Sequence, residues 1–469
     1  MSNTFCKQTV SDFTIEHAKL KPVSFHMPGH KGRFATFAKY GYSDFAASLI
    51  NQDITEISGA DILSHPSSSI LAVMENYSKL YGVNHTELLV NGSSAGIIAS
   101  ILSLVPRGGS LIMDRFSHKS AYSALKLGEI NPVYTEPTED GVREALIKSP
   151  EAAAVLITSP DYMGEIVNIR RIANDVHTLG KILIVDQAHG AHLKFFDEAF
   201  GTRTSAENLG ADIVIESTHK TLFTFTGTGI LHICSDRVDN LKIRETLSML
   251  QTTSPSYILM DSLDINEKIM RNHGIEIVKE WKANIIGFCK SAELIAGVKI
   301  ICSQGAYDKN YQNELDITKI RISMEELGLC GEELEKELAS QNIFVEMSYE
   351  NEVLIYTGAG NTSEDYKKLY NALKFIAEKQ KNTKKEVREN KHLTQKSREC
   401  AFYSKNDKNN LHLEFSGVPT EYENVSIRDS ESRVLYEPIV PFPPGRPIAC
   451  PGEIVNKSLI LAIMKLMMD

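Results

Sequence analysis

The chain has 469 residues, 42% hydrophobic and 23% charged, with a formal net charge of −10. That balance excludes a disordered chain and a broad basic face for nucleic acid, and the length predicts two or three domains. Seven cysteines, at 6, 234, 289, 302, 330, 400 and 450, include no CxxC pair, so no disulfide framework or zinc site is expected and reduced thiols in the cytoplasm are.

The first residues, MSNTFCKQTV, contain no apolar signal core. In FHMPGHKGR (25–33), His26 and His30 flank Pro28 and Gly29, which predicts a tight turn and argues against helical metal ligation. From about 85 to 235, short apolar runs alternate with helical patterns, as in a layered α/β domain. The strand candidates are ELLV (87–90), SLIM (110–113), AAVLIT (153–158), KILIV (181–185), DIVIE (212–216) and GILHI (229–233). Most are apolar throughout, which predicts burial on both faces of a mainly parallel sheet. Between the first two, NGSSAG (91–96) reads as a turn, after which Ile97, Ile98, Ile101, Leu102 and Val105 share one helical face.

A long helical region is expected near 262–296, then a smaller α/β portion to about 378. It holds the strands KIRIS (319–323) and EVLIYT (352–357) and the helix GEELEKELAS (331–340). Residues 379–398 are strongly charged and read as an exposed helix end or linker. The prolines of EPIVPFPPGRPIACPGE (437–453) predict extended, turning backbone. The terminal SLILAIMKLMMD is too short to span a bilayer and is expected to pack as a helix on a neighbouring domain or subunit. The predicted division is residues 1–260, 261–378, a charged linker 379–399, and a C-terminal domain 400–469.

Polar residues gather at the carboxyl ends of the predicted strands, where ligands bind in such sheets. NGSSAG offers Ser93 and Ser94 at a helix start, suited either to capping or to holding a phosphate. Asp186, ending a strand in VDQAHGAH (185–192), could cap, join His189 or His192 at a metal, or pair with a protonated ring nitrogen; no glutamate follows at zincin spacing. His118 in DRFSHKSAY (114–122) reads as a structural histidine, a general base or a flat stacking surface. ESTHKTLFTF (216–225) places Lys220 beside hydroxyls and an imidazole at a strand end. Lysine is rarely buried without a partner. A phosphate cradle, a flat histidine, a carboxylate and a lysine together match what pyridoxal phosphate requires, with Lys220 as the Schiff-base amine and Ser217 and His219 near the phosphate.

These motifs carry a resemblance. FHMPGHKGR, DITEISGADIL (53–63), NGSSAG, FSHKS, TSPDYMGEI, VDQAHGAH, STHKTL, TSPSYILMDSLD (253–264) and PPGRPIACPGE (443–453) occur in family order over nearly the whole chain. The sequence resembles the Orn/Lys/Arg decarboxylases, pyridoxal-phosphate enzymes of fold type I, in their shorter bacterial branch without a receiver-like N-terminal domain. The resemblance implies a large cofactor domain, a smaller α/β domain and a C-terminal decarboxylase-type segment. It makes Lys220 the Schiff-base lysine, Asp186 the pyridine-nitrogen partner and His118 the ring-stacking residue. Ser93, Ser94, Ser217 and His219 would hold the phosphate, Ala188 would lie beneath the ring, and Arg433 would approach the substrate carboxylate. It further implies α-decarboxylation of a basic amino acid, arginine before lysine or ornithine. The expected enzyme is a cytoplasmic homodimer or higher oligomer with shared active sites, with no metal, no nucleic acid and no membrane.

The chain departs from the family pattern at Gln187 (usually glutamate), Glu216, Gly227, Asp261, Ile317 and Arg446. These changes keep two alternatives open: a different reaction or an unusual amino acid on the same cofactor, and a non-catalytic descendant.

Overall fold

The structure, a computed structural model, describes residues 10–302, 314–389, 413–419, 421–440 and 447–468. Seven strands form its main sheet: β1 (His85–Leu89), β2 (Ser110–Asp114), β3 (Asn131–Thr135), β4 (Ala154–Thr158), β5 (Ile182–Asp186), β6 (Ile213–Glu216) and β7 (Gly229–Ile233). Their order is β1-β7-β6-β5-β4-β2-β3, with β7 antiparallel to both neighbours and the other adjacent pairs parallel. Alternate residues of each strand enter opposite apolar layers. Leu111, Met113, Leu156, Ile184 and Ile215 enter one layer, and Ile112, Val155, Ile157, Leu183, Val185 and Val214 the other. Helices cover both faces, which is why these strands read as continuous apolar runs rather than as alternating ones.

The edge strand β3 is not among the sequence candidates, and Pro132 lies within it. Proline has no backbone N–H to donate to a ladder and is tolerated at an edge, where β3 has one neighbour, β2.

A second sheet of four antiparallel strands, in the order β8-β9-β11-β10, comprises β8 (Lys299–Ile301), β9 (Lys319–Ser323), β10 (Met347–Tyr349) and β11 (Glu352–Tyr356). The 36-residue helix Tyr257–Ala292 buries Trp281, Ile285 and Phe288 in the core it shares with β9 and β11. The helix Gly331–Ser340 matches the predicted span, and the helix Ser363–Glu389 carries the charged stretch onward to residue 389. Near the C-terminus, isolated bridges and the helix Lys457–Met468 enclose Ala449, Val455 and Leu459. Among the described residues no helix is long and apolar enough to cross a membrane.

The six mutually parallel strands end on one edge of the main sheet, so Asp114, Thr135, Thr158, Asp186 and Glu216 share it with the turn after β1 and with Gly229. At such an edge, backbone amides and strand-end side chains meet without being consumed by the ladder.

Candidate active site

A cavity of about 250 Å³ opens at this edge, and Ser93, Ser94, His118, Asp186, Ala188 and Lys220 all line it. Residues from turns far apart in sequence meet there because each follows a parallel strand.

The phosphate-type corner is built at the start of α1 (Gly92–Leu104). Gly92 adopts φ +72°, a left-handed conformation suited to glycine, and its N–H is spent on Gly227 O at 2.7 Å. The next amides of the first helical turn have no intrahelical acceptor. Ser217 Oγ donates to Ser93 Oγ at 2.8 Å, so the two predicted serines meet, with Ser217 behind the cavity wall. His219 does not line the cavity. Its Nδ1 lies 2.6 Å from Thr228 O, a pure acceptor, so Nδ1 carries the proton and a neutral ring keeps Nε2 as a lone pair. Burial above all holds this ring neutral, pushing its pKa down to about 4.

Asp186 ends β5 and is 4% exposed. Ala188 N–H donates to its Oδ1 at 3.1 Å, while Oδ2 has no protein partner among the described residues. Burial raises the Asp186 pKa, opposed by the charge of Lys220 and by the Ala188 amide. His118 caps α2 (Lys119–Gly128): its Nδ1 accepts the Ser120 N–H at 3.3 Å. Capping and a flat ring are therefore compatible roles for one side chain. The ring stands open to the cavity, yet its protein surroundings and then the positive charges of Lys220 and Lys119 push its pKa down to about 4.

Lys220 sits on the short helix Thr218–Thr221 beyond β6. Its pKa is pushed down to about 8, chiefly by burial and further by Lys319, while Asp186 and Glu346 oppose the shift. Its Nζ lies 2.9 Å from His189 Nε2. This partner was visible in VDQAHGAH only as an optional metal ligand. Behind it stand Tyr356 on β11, Tyr162, Glu346, and Lys319 on β9, whose ammonium meets Asp316 Oδ2 at 3.0 Å. Lys319, Glu346 and Tyr356 come from about a hundred residues or more beyond Lys220 in the chain, and Tyr162 from the TSPDYMGEI turn.

Two departures explain one another. Glu216 turns away from Lys220 and accepts from Gln187 Nε2 at 2.7 Å; the same amide nitrogen donates to Glu207 Oε2 at 3.0 Å. A glutamate at 187 could not donate to both when ionised. Burial and the neighbouring Glu207 raise the Glu216 pKa well above the carboxylate range. Gly227 adopts φ +94° where it receives the Gly92 amide, and Ile317 packs in the apolar core.

Arg433 does not line the cavity. It pairs with Glu423 at the surface, and its side chain is 47% exposed. Arg446 lies outside the described residues.

Residues 11–365 match the family described as Orn/Lys/Arg decarboxylase, major domain. The Bacillus subtilis (strain 168) uncharacterized protein YaaO is 32% identical over 480 residues, covering 96% of this chain and 92% of its own length. An arginine decarboxylase of the same organism is 29% identical over 478 residues, covering 96% and 91%. The crystal structure of Francisella novicida lysine decarboxylase LdcF superposes with a TM-score of 0.68 at 17% identity, over 100% of this chain and 75% of its own. The parallel sheet, the strand-end cavity and these matches agree: the chain belongs to the Orn/Lys/Arg decarboxylase family and has its fold-type-I α/β architecture.

Proposed function

We propose that the chain holds pyridoxal phosphate in this cavity and decarboxylates a basic amino acid, arginine first and lysine or ornithine next, to the corresponding amine and carbon dioxide. The observation that carries this reading is the placement of Lys220 and Asp186 on one cavity with a serine-lined helix start beside them. The wall fits the group. Asp186 Oδ2 lacks a protein partner among the described residues, and the buried Thr158 Oγ1, also on this wall, has none either. Buried polar atoms are rarely left unpaired without a role.

Ser93, Ser94 and the first amides of α1 would hold the phosphate, with Ser217 bracing Ser93. Asp186 would face the ring nitrogen, and His118 and Ala188 would flank the ring. When bound, pyridoxal phosphate supplies an aldehyde carbon for an amino group and a pyridinium that takes up the electron pair left by a departing carboxylate. Lys220, with its pKa near 8, keeps a sizeable neutral fraction at ordinary pH and so presents a nucleophilic lone pair. Asp186, disfavoured as an anion by burial, favours a cationic partner against its free oxygen. His118 stays neutral above about pH 4 and adds a flat surface without adding charge.

The arginine decarboxylase names among its relatives favour arginine as substrate. We read the enzyme as a cytoplasmic homodimer or higher oligomer in which TSPSY (253–257) and Arg433 serve a shared site. The test is to incubate purified protein with pyridoxal phosphate and a panel of amino acids, following visible absorbance, amine and carbon dioxide, with Lys220→Ala as control. A Lys220-dependent band with agmatine released supports the reading. The same band without amine from arginine, lysine or ornithine would overturn it in favour of another reaction.

A further inference from the structure

The hydrogen bonds around His189 determine which of its nitrogens carries the proton. Tyr356 Oη touches two acceptors-in-waiting: the Tyr162 carbonyl oxygen and, at 3.3 Å, His189 Nδ1. A hydroxyl has one proton, and a carbonyl oxygen can only accept. The Tyr356 proton therefore goes to Tyr162 O, and His189 Nδ1 must supply the proton for the other contact. Neutral imidazole has a single N–H, so His189 Nε2 is left as a lone pair, 2.9 Å from Lys220 Nζ. Neutrality of the ring is secured by burial and by the positive charges of Lys220 and Lys319. The geometry is rigid: the His189 ring lies edge-on to both Tyr162 and Tyr356, at centroid distances of 5.4 and 5.8 Å, and Tyr356 is 1% exposed.

The consequence falls on the amine. Facing an acceptor, neutral Lys220 donates one N–H to His189 and keeps its nitrogen lone pair free for a carbonyl carbon in the cavity. Facing the other tautomer, with the proton on Nε2, the lysine would accept, and its lone pair would be occupied. We propose that Tyr356 is a positioning residue that fixes the His189 tautomer so that the Lys220 lone pair stays free for attack. Tyr356 acts from β11 of the second sheet, so the two sheets together set the nucleophile's state. This inference deepens the reading above, because it takes Lys220 as the reacting amine.

The test reads that amine without any cofactor. The full-length, cofactor-free protein is reductively methylated with formaldehyde and cyanoborohydride above the titration of Lys220, and labelling of the Lys220 peptide is followed by mass spectrometry. Surface lysines serve as the internal standard. Tyr356→Phe is expected to slow Lys220 labelling by about fivefold to tenfold, the factor that a single hydrogen bond on the lone pair represents. In a His189→Ala background, Tyr356→Phe should have no further effect, because the competing donor is gone. Unchanged labelling in Tyr356→Phe overturns the proposal, as does an equal loss in both backgrounds, which would mark a merely structural role. A measurement on the unmutated chain guards against a variant that fails to fold. In ¹⁵N-histidine-labelled protein, His189 should show a protonated Nδ1 and an unprotonated Nε2, and the reverse pattern overturns the proposal. If the labelling result holds but no pyridoxal phosphate band forms, the functional reading fails and this one stands.

Discussion

At the scale of single residues, the site depends on burial shifting charges in opposite directions. Lys220 is drawn toward neutrality and Asp186 is made dependent on a cation, so the pair is poised rather than locked as a salt bridge. Asp186→Asn keeps the volume and the acceptor for Ala188 N–H but removes the charge. It should lower kcat by about a hundredfold or more in the amine-release assay, with a smaller loss of cofactor affinity. An unchanged kcat would separate Asp186 from the chemistry.

Glu216 gives a pH prediction of definite sign. Its folded pKa lies well above the ordinary 4.5, through burial and the nearby Glu207, so the folded chain binds a proton that the unfolded chain has lost above pH 4.5. The stability it contributes is therefore present below that pH and is lost as pH rises. Glu216→Gln, which can keep the carbonyl acceptor for Gln187, should raise Tm by a few degrees near neutral pH and leave it unchanged near pH 4.5. A difference that does not vary with pH would show that Glu216 is not held protonated.

At the scale of elements, the C-terminal segment acts on the cavity through one residue. Arg115 precedes the cavity-lining Phe116 and His118. Its guanidinium is held by both oxygens of Glu453 and by Ile448 O, while its carbonyl accepts from Tyr122. The Glu453 side chain is 3% exposed, so removing it strands a largely buried guanidinium. Glu453→Ala should destabilise the fold by roughly 3–5 kcal/mol in urea unfolding. It should also weaken cofactor binding, because the loop before His118 loses its clamp. Arg115→Ala combined with Glu453→Ala should cost clearly less than the sum of the single changes; full additivity would show that the pair is not coupled.

At the scale of the whole molecule, the cavity joins the main sheet to groups from the second. Filling it should therefore stabilise the chain as a unit. Saturating pyridoxal phosphate at about a hundred times its Kd contributes about 2.7 kcal/mol, seen as a Tm rise that shrinks in Lys220→Ala. The stretch before the main sheet exposes Ile50, Ile54, Ile57 and Ile62, with Ile50 91% exposed. Such apolar exposure fits an interface between copies. Sedimentation should show a dimer or larger species, and Ile57→Asp should shift it toward monomer; a monomeric unmutated chain would remove the shared-site reading.

Local periodicity and turn chemistry account for what could be read along the chain. Six of the seven main strands, the helix after NGSSAG and the helix Gly331–Ser340 were legible because an apolar run or a helical stripe forms from neighbours in the chain. Ser93, Ser94, His118, Asp186 and Lys220 were legible as site candidates because each lies at or just beyond the end of a parallel strand, and parallel strands all end on one edge; Ala188 was implied by the family resemblance alone. The remaining features depend on how distant segments pack. β3 needed an edge position to accommodate Pro132. His219 and Arg433 matched motifs, but motifs do not say which way a side chain turns. Glu216 was readable as a carboxylate near the lysine, but its pairing with Gln187 required β5 and β6 to lie side by side. The Lys220–His189–Tyr356 chain spans 167 residues from His189 to Tyr356. Hydrogen bonds of that reach depend on how two sheets pack, and packing is a property of the folded chain rather than of any window within it.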